Sequence, residues 1–169
     1  ASAYFAGNAE KAKPALAAGA LMSPGAYMVY AGQEIGEAGM DAEGFSGNDG
    51  RTTIFDYWNP ASLQKLTAPA FEKKLTPEEA ALYDYYQKIL TLCNSRKAFE
   101  QGGFFDLQYA NYGRDYGYNC DRQYSFLRHF GREVYLVAVN FDPASVQVGI
   151  KIPSHAFDVL KLREGMKSA

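Results

Sequence analysis

Five side chains within the first sixty residues have the types and spacing to hold a ligand: Gln33, Glu34, Asp49, Arg51 and Trp58. Arg51 presents a planar fork of donors that can grip a carboxylate or two neighbouring hydroxyls. Asp49 and Asp56 flank it, so the same residues could instead form a structural pair, Asp49–Arg51 or Asp56–Arg51, that orders a glycine-rich loop. Trp58 is the only tryptophan, and its ring can serve as a stacking platform or as packing between two layers. Gln33 and Glu34 follow a short apolar run. They would sit just past the C-terminal end of a strand, the end that carries the site in barrel enzymes. The plainer reading of Glu34 is a cap or brace for the loop that follows. The cysteines Cys93 and Cys120 and the histidines His129 and His155 match no zinc-ligand spacing. The cysteines read as two unrelated thiols, and His129 as a hydrogen-bonding partner within a strand. Asp41 and Glu43 could ligate calcium, but the loop lacks the EF-hand pattern. No metal site is therefore expected, and calcium is the only cofactor weighed.

These residues need elements to position them. Residues 9–22 are Ala-rich and helix-favouring, with Pro14 tolerated only in a first turn, so a kink or a late start follows. Ser23-Pro24-Gly25 stops that helix. Ala26–Ala31 is a continuous apolar run ended by Gly32, the pattern of a strand buried on both faces. Residues 36–60 form a glycine-punctuated loop without the Gly-Lys-Ser/Thr of a phosphate loop. Thr76-Pro77-Glu78-Glu79 is a capping box with Pro at the first helical position. Leu82, Tyr86, Ile89 and Cys93 then mark one face of a helix to about Lys97. From Gly102 the period changes to two. Strands are expected near 103–109, 123–130, 133–140, 146–152 and 157–162, with a tight hairpin at Gly131-Arg132 and a turn at Asp142-Pro143. The expected class is α+β: residues 1–98 helix-strand-helix material, residues 99–169 an antiparallel sandwich.

Composition narrows the function. A net charge of -2 and no Lys/Arg block argue against nucleic acid. The apolar stretches are too short and too broken for a membrane span. Hydrophobic residues at 47% suffice for a core. Tyrosine is in surplus at 13 residues. It pairs an apolar ring with a polar tip, which suits interfaces, sugar sites and half-exposed sheets. Tyr109, Tyr112, Tyr116, Tyr118 and Tyr124 cluster in one stretch that reads mainly as packing of sandwich loops, with a surface sugar site as the alternative. There is no initiator Met and no signal-peptide pattern, so the start resembles the inside of a longer chain and the compartment is not legible.

The segment Pro24-Gly25-Ala26-Tyr27-Met28-Val29-Tyr30-Ala31-Gly32-Gln33-Glu34-Ile35-Gly36 resembles a signature of the α-amylase family, glycoside hydrolase family 13, at the last strand of its (β/α)8 barrel. Ala26-Tyr27 stands where that pattern usually has a small residue and Pro. Asp49-Gly50-Arg51-Thr52-Thr53-Ile54-Phe55-Asp56-Tyr57-Trp58 resembles a second segment of the family, and Val137-Ala138-Val139-Asn140-Phe141 is similar to a strand of its domain C sandwich. The resemblance implies residues 1–98 as the C-terminal remnant of the catalytic barrel and 99–169 as domain C lacking its last strands, a piece cut at both ends. It implies an α-glucan substrate, such as starch or maltooligosaccharides, and retaining hydrolysis. It places Asp49, Arg51, Gln33 and Trp58 near the substrate.

Retaining glycosidases need an acid/base and a nucleophile about 5–5.5 Å apart. The family's motifs for both, and its Asn-His-Asp motif, do not occur in this chain. No catalytic residue is therefore assigned here, and the chain alone is expected to be inactive. A carbohydrate-binding sandwich module and a transglycosylase of the same family are the alternatives. An orphaned strand at 26–31 would also drive self-association, or convert to helix, because its backbone and apolar side chains would lack neighbours.

Overall fold

The computed structural model describes residues 8–37 and 61–161. They divide between two compact units, one built from residues 8–16, 27–37 and 61–90, the other from 17–26 and 91–161. The described residues mix helix with one three-stranded antiparallel sheet.

In the first unit, the Asn8 side chain accepts from the Glu10 N–H at 2.8 Å and opens a 3₁₀ turn, Ala9–Ala12. Helix α1 (Lys13–Met22) follows, with residues 13–16 in this unit and 17–22 in the second. Pro14 falls in its first turn, where a missing N–H costs no helical bond, so the α-helix starts late. Helix α2 spans Ala61–Thr67, and helix α3 spans Pro77–Ser95. The capping box forms as the sequence indicates. Thr76 N–H donates to Glu79 Oε2 at 2.8 Å, and Glu79 N–H donates to Thr76 Oγ1 at 3.3 Å. Lys65 on α2 donates to both Glu79 oxygens, at 2.6 and 2.8 Å, tying α2 to the start of α3. Leu82 and Tyr86, four residues apart on α3, carry the buried face. Tyr85 beside them donates to the Lys13 carbonyl at 3.2 Å.

In the second unit, the short helix α4 (Lys97–Glu100) leads into β1 (Gly103–Asp106), β2 (Gln123–Phe130) and β3 (Glu133–Asn140). The order is β1-β2-β3, with Phe105 opposite Leu127 and Leu127 opposite Leu136. The hairpin turns at Gly131-Arg132, between the paired residues Phe130 and Glu133. Strand β3 alternates, with Val137 and Val139 inward and Leu136 and Ala138 exposed. Asn140 ends the strand by accepting from the Asp142 N–H at 3.0 Å and donating to the Ala144 carbonyl at 2.9 Å. The central strand buries both faces. Leu127 joins Leu107, Ala156 and Leu160 in a cluster flanked by Phe105, Val134 and Ile150. Arg128 is fully buried. It donates to four carbonyls: Nε to Ala98 at 3.0 Å, Nη1 to Met22 at 2.7 Å, and Nη2 to Phe99 at 3.1 Å and Gly102 at 2.9 Å.

Three expected strands are absent, and with them the sandwich. Residues 26–31 form no strand and join no ladder. A strand buried on both faces needs a partner on each side, and the three described strands all belong to the second unit. No part of a barrel is formed among the described residues. The run is accordingly exposed rather than buried, with Met28 79% accessible. Residues 146–152 also stay outside the ladder. Side chains and turns satisfy their backbone instead: Asn111 accepts from Lys151 N–H at 2.8 Å and donates to Lys151 O at 3.1 Å, and Gly149 N–H donates to Tyr116 O at 2.9 Å. The last expected strand, 157–162, is replaced by helix α5 (Ser154–Val159). There Ala156 and Leu160, four apart, are the buried residues. A period near four, not two, governs that stretch. The outcome is a single three-stranded sheet backed by α5.

Candidate functional site

The motif Gly32-Gln33-Glu34-Ile35-Gly36 folds as one tight 3₁₀ turn, Gln33–Ile35, between two left-handed glycines. Gly32 has φ 80° and Gly36 φ 78°. Both are also pressed from outside. A Cβ on Gly32 would lie 2.6 Å from Glu37 Cβ and 2.9 Å from Leu63 Cδ2, and one on Gly36 would lie 2.9 Å from Ala9 Cβ. Conformation and close approach thus both demand glycine at each end. Ile35 anchors the turn in the core at 3% exposure.

Gln33 closes the turn upon Tyr30. Its N–H donates to Tyr30 O at 2.9 Å, and its side-chain Oε1 accepts from Tyr30 N–H at 3.2 Å. The amide thereby orders the backbone next to the site at which a ligand-binding role was expected for it. Glu34 buries its Oε2 without a hydrogen-bond partner, and the loop it is expected to brace lies beyond Glu37, outside the described residues. Tyr86, projecting from α3, is also buried, and its Oη makes no hydrogen bond. Burial pushes its phenol up to about 12. The Gln33 side chain, near Oη without meeting hydrogen-bond geometry, acts to lower it, while Tyr27, Glu34 and Tyr85 add to the rise. The turn therefore holds a carboxylate oxygen and a neutral phenol in a setting that water does not reach. Such groups can orient a neighbouring loop or a ligand. Among the described residues, no hydrogen bond joins the two groups.

The other expected site residues, Asp49, Arg51 and Trp58, lie outside the described residues, as do Asp41, Glu43 and Asp56. Of the five candidates, Gln33 and Glu34 are the two that lie among the described residues. Among the described residues, no group of three or more His, Cys, Asp or Glu side chains could hold a metal ion. No helix among them is long and apolar enough to cross a membrane.

Sequence patterns gave Tyr86 only as part of an apolar face, and gave Arg128 no role. The signal for Arg128 was available: a lone cation inside the apolar run Phe126-Leu127-Arg128 of a central strand. Its partners, all backbone carbonyls, carry no sequence signature. Cys93 lies nearby, its Sγ donating to Ala20 O at 3.4 Å. Burial raises its thiol, and the Arg128 charge opposes that rise. Cys93 and Cys120 are both free thiols, as expected.

Comparisons of the chain with protein-family models, with curated proteins and with solved structures return no match.

Proposed function

We propose that this chain supplies the end of the catalytic barrel and the following β-domain of an α-amylase-like retaining glycoside hydrolase acting on α-glucans, and that it has no glycosidase activity alone. The observation that carries the reading is the Pro24–Gly36 segment. Its two glycines, Gly32 and Gly36, are each required by the turn that sets Gln33 against Tyr30. A segment of this motif would lie at the mouth of a barrel once neighbouring strands flank residues 26–31. Those residues form no strand here and expose Met28. Asp49, Arg51 and Trp58 would follow on the loop beside the substrate. Arg51 would hold sugar hydroxyls or order the loop through Asp49, and Trp58 would stack on a ring or pack behind it. Protonation of the leaving oxygen and attack on the anomeric carbon would come from carboxyl groups outside these 169 residues.

A chromogenic maltoheptaoside tests the proposal. The purified chain should release no chromophore. The same chain, extended in its own reading frame through Asn-His-Asp and two earlier carboxylate motifs, should hydrolyse the substrate with retention. Product analysis in the presence of glucose separates hydrolysis from transfer to an acceptor. A reading frame without those motifs overturns the proposal. So does turnover by the 169-residue chain that Asp49→Asn abolishes.

A further inference from the structure

We propose that strand β3 is the docking edge for a second copy of this chain, the two β3 strands pairing antiparallel about a two-fold axis at Val137 and joining two three-stranded sheets into one. The inference uses only the sheet of the second unit and is independent of the catalytic reading. Among the described residues, β3 has β2 on one side and no strand on the other. It is eight residues long, against four for β1 at the opposite edge. Native sheets shorten such edges, place Pro or charge on them, or bulge them. None of these devices is present in β3. Its pairing with β2 is unbroken from Glu133 to Asn140, and residues 134–140 include no Pro and no charged side chain. Leu136 stands opposite the buried Leu127, yet is itself 48% exposed.

The ladder decides which backbone groups face outward. In an antiparallel pair, alternate residues exchange both hydrogen bonds with their partners, and the residues between them direct theirs away. Phe141 N–H donates to Arg122 O at 2.7 Å, directly beyond the pair Asn140–Gln123. Stepping back by two, Val139, Val137, Tyr135 and Glu133 bond toward β2. The N–H and C=O groups of Val134, Leu136, Ala138 and Asn140 therefore point to the open side.

A second β3 offers the same residues, so outward residues must meet outward residues. A symmetric pair centred on Leu136 sets Leu136 against itself and Val134 against Ala138, but leaves Asn140 opposite Arg132 in the hairpin turn. Centred on Val137, the pair sets Leu136 against Ala138 and Val134 against Asn140, so each outward N–H and C=O of both strands gains a partner. That register also brings Arg132 opposite Asp142 at both ends, because the two lie equally far from Val137. Arg132 is exposed, and among the described residues Asp142 engages only Oδ1, which accepts from Ala144 N–H at 2.9 Å. On the other face Val137 meets Val137, Tyr135 meets Val139, and Glu133 meets Phe141, itself 41% exposed. Glu133 is drawn back toward α4, its Oε2 accepting from Ala98 N–H at 3.3 Å. No like charges are opposed. Hydrogen bonds, apolar pairs and charge are thus all self-complementary in one register, which selects a second copy over an unrelated strand.

Light scattering after size exclusion, over a dilution series of the 169-residue chain, tests the proposal. One strand edge makes a small interface, so a dimer with a Kd on the order of 10–100 µM is expected. Leu136→Lys, at an exposed side chain, should keep the thermal transition seen by circular dichroism and give monomer up to about 1 mM. Arg132→Asp and Asp142→Arg each oppose like charges at both ends and should weaken the dimer about tenfold, and an equimolar mixture of the two should restore it as a heterodimer. Amide exchange reads the same register. In dilute monomer the Tyr135, Val137 and Val139 amides should be protected, and those of Val134, Leu136, Ala138 and Asn140 should become so only as dimer forms. The proposal is overturned by a chain still monomeric at about 1 mM, or by a dimer unmoved by Leu136→Lys. It is overturned as well by charge variants that neither weaken the dimer alone nor pair when mixed. Outward amides already protected in monomer would show the edge covered within one chain and would also refute it. So would a dimer broken by Val29→Lys and not by Leu136→Lys, since that dimer runs through residues 26–31. If Leu136→Lys loses its thermal transition, the charge variants and the exchange pattern decide.

Discussion

Replacing Arg128 should damage the second unit more than any single apolar truncation at its surface. The side chain is fully buried, and among the described residues its hydrogen-bond partners include no carboxylate. Its charge is met by carbonyls in or beside helix ends: Met22 closes α1, Ala98 and Phe99 lie in the four-residue α4, and Gly102 follows it. The last carbonyls of a helix have no intrahelical donor and carry partial negative charge, so a buried guanidinium is a favourable partner for them. Burial still lowers its pKa below the ordinary guanidinium value, with the nearby Cys93 acting in the opposite direction. Arg128→Met keeps much of the volume but leaves four carbonyls without their donor. A buried group stripped of its partner costs about 1–3 kcal/mol. Some of the four would recruit water, so the low end applies, and the expected loss is about 4 kcal/mol. With a urea slope of about 1–3 kcal/mol/M, the midpoint should fall by at least about 1.3 M. Far-ultraviolet circular dichroism in urea reads this. Arg128→Lys should recover only part of the loss, because a single ammonium cannot span the fork. If Arg128→Met loses under about 1 kcal/mol, the carbonyls are not held by the guanidinium and the argument fails.

Tyr86→Phe should leave stability unchanged or raise it by up to about 1 kcal/mol, since the buried Oη it removes makes no hydrogen bond. The wild-type phenol, raised to about 12 in the folded chain, contributes stability that is whole below the unfolded value near 10 and is lost as pH rises through about 12. The alkaline decline measured by circular dichroism should therefore be smaller in Tyr86→Phe, and an identical decline would show that Tyr86 is not the group responsible. At Glu79, burial acts to raise the carboxyl, but the Lys65 side-chain bond, the Thr76 N–H and the Lys65 charge outweigh it and leave the pKa below its ordinary value. That stability is present above the unfolded pKa and lost as pH falls through the folded one. Glu79→Gln should flatten the acid side of the pH–stability curve, and an unaltered acid limb would count against the ion pair as its source.

Local features of this chain were legible in its residues. Thr76-Pro77-Glu78-Glu79 specified the start of α3 because each residue satisfies or lacks a donor at the helix terminus, with no help from elsewhere. Pro14 fixed the late start of α1 by the same kind of covalent constraint. The β2–β3 hairpin was legible because its strands alternate and their turn joins adjacent residues. Tertiary structure decided the rest. Residues 26–31 have the composition of a central strand, but pairing is a property of neighbours, and the run joins no ladder, with Met28 in solvent. Residues 157–162 can be read with period two, yet α5 forms because Ala156 and Leu160 meet Leu107 and Leu127 on one face. The tyrosines at 109–124 look alike in sequence. Only the buried network around Gln108, Asn111 and Tyr118 separates the rings that pack from those that face water. Arg128 makes the same point from the interior: its four partners are backbone carbonyls, which every residue carries, so only the folded chain could select them.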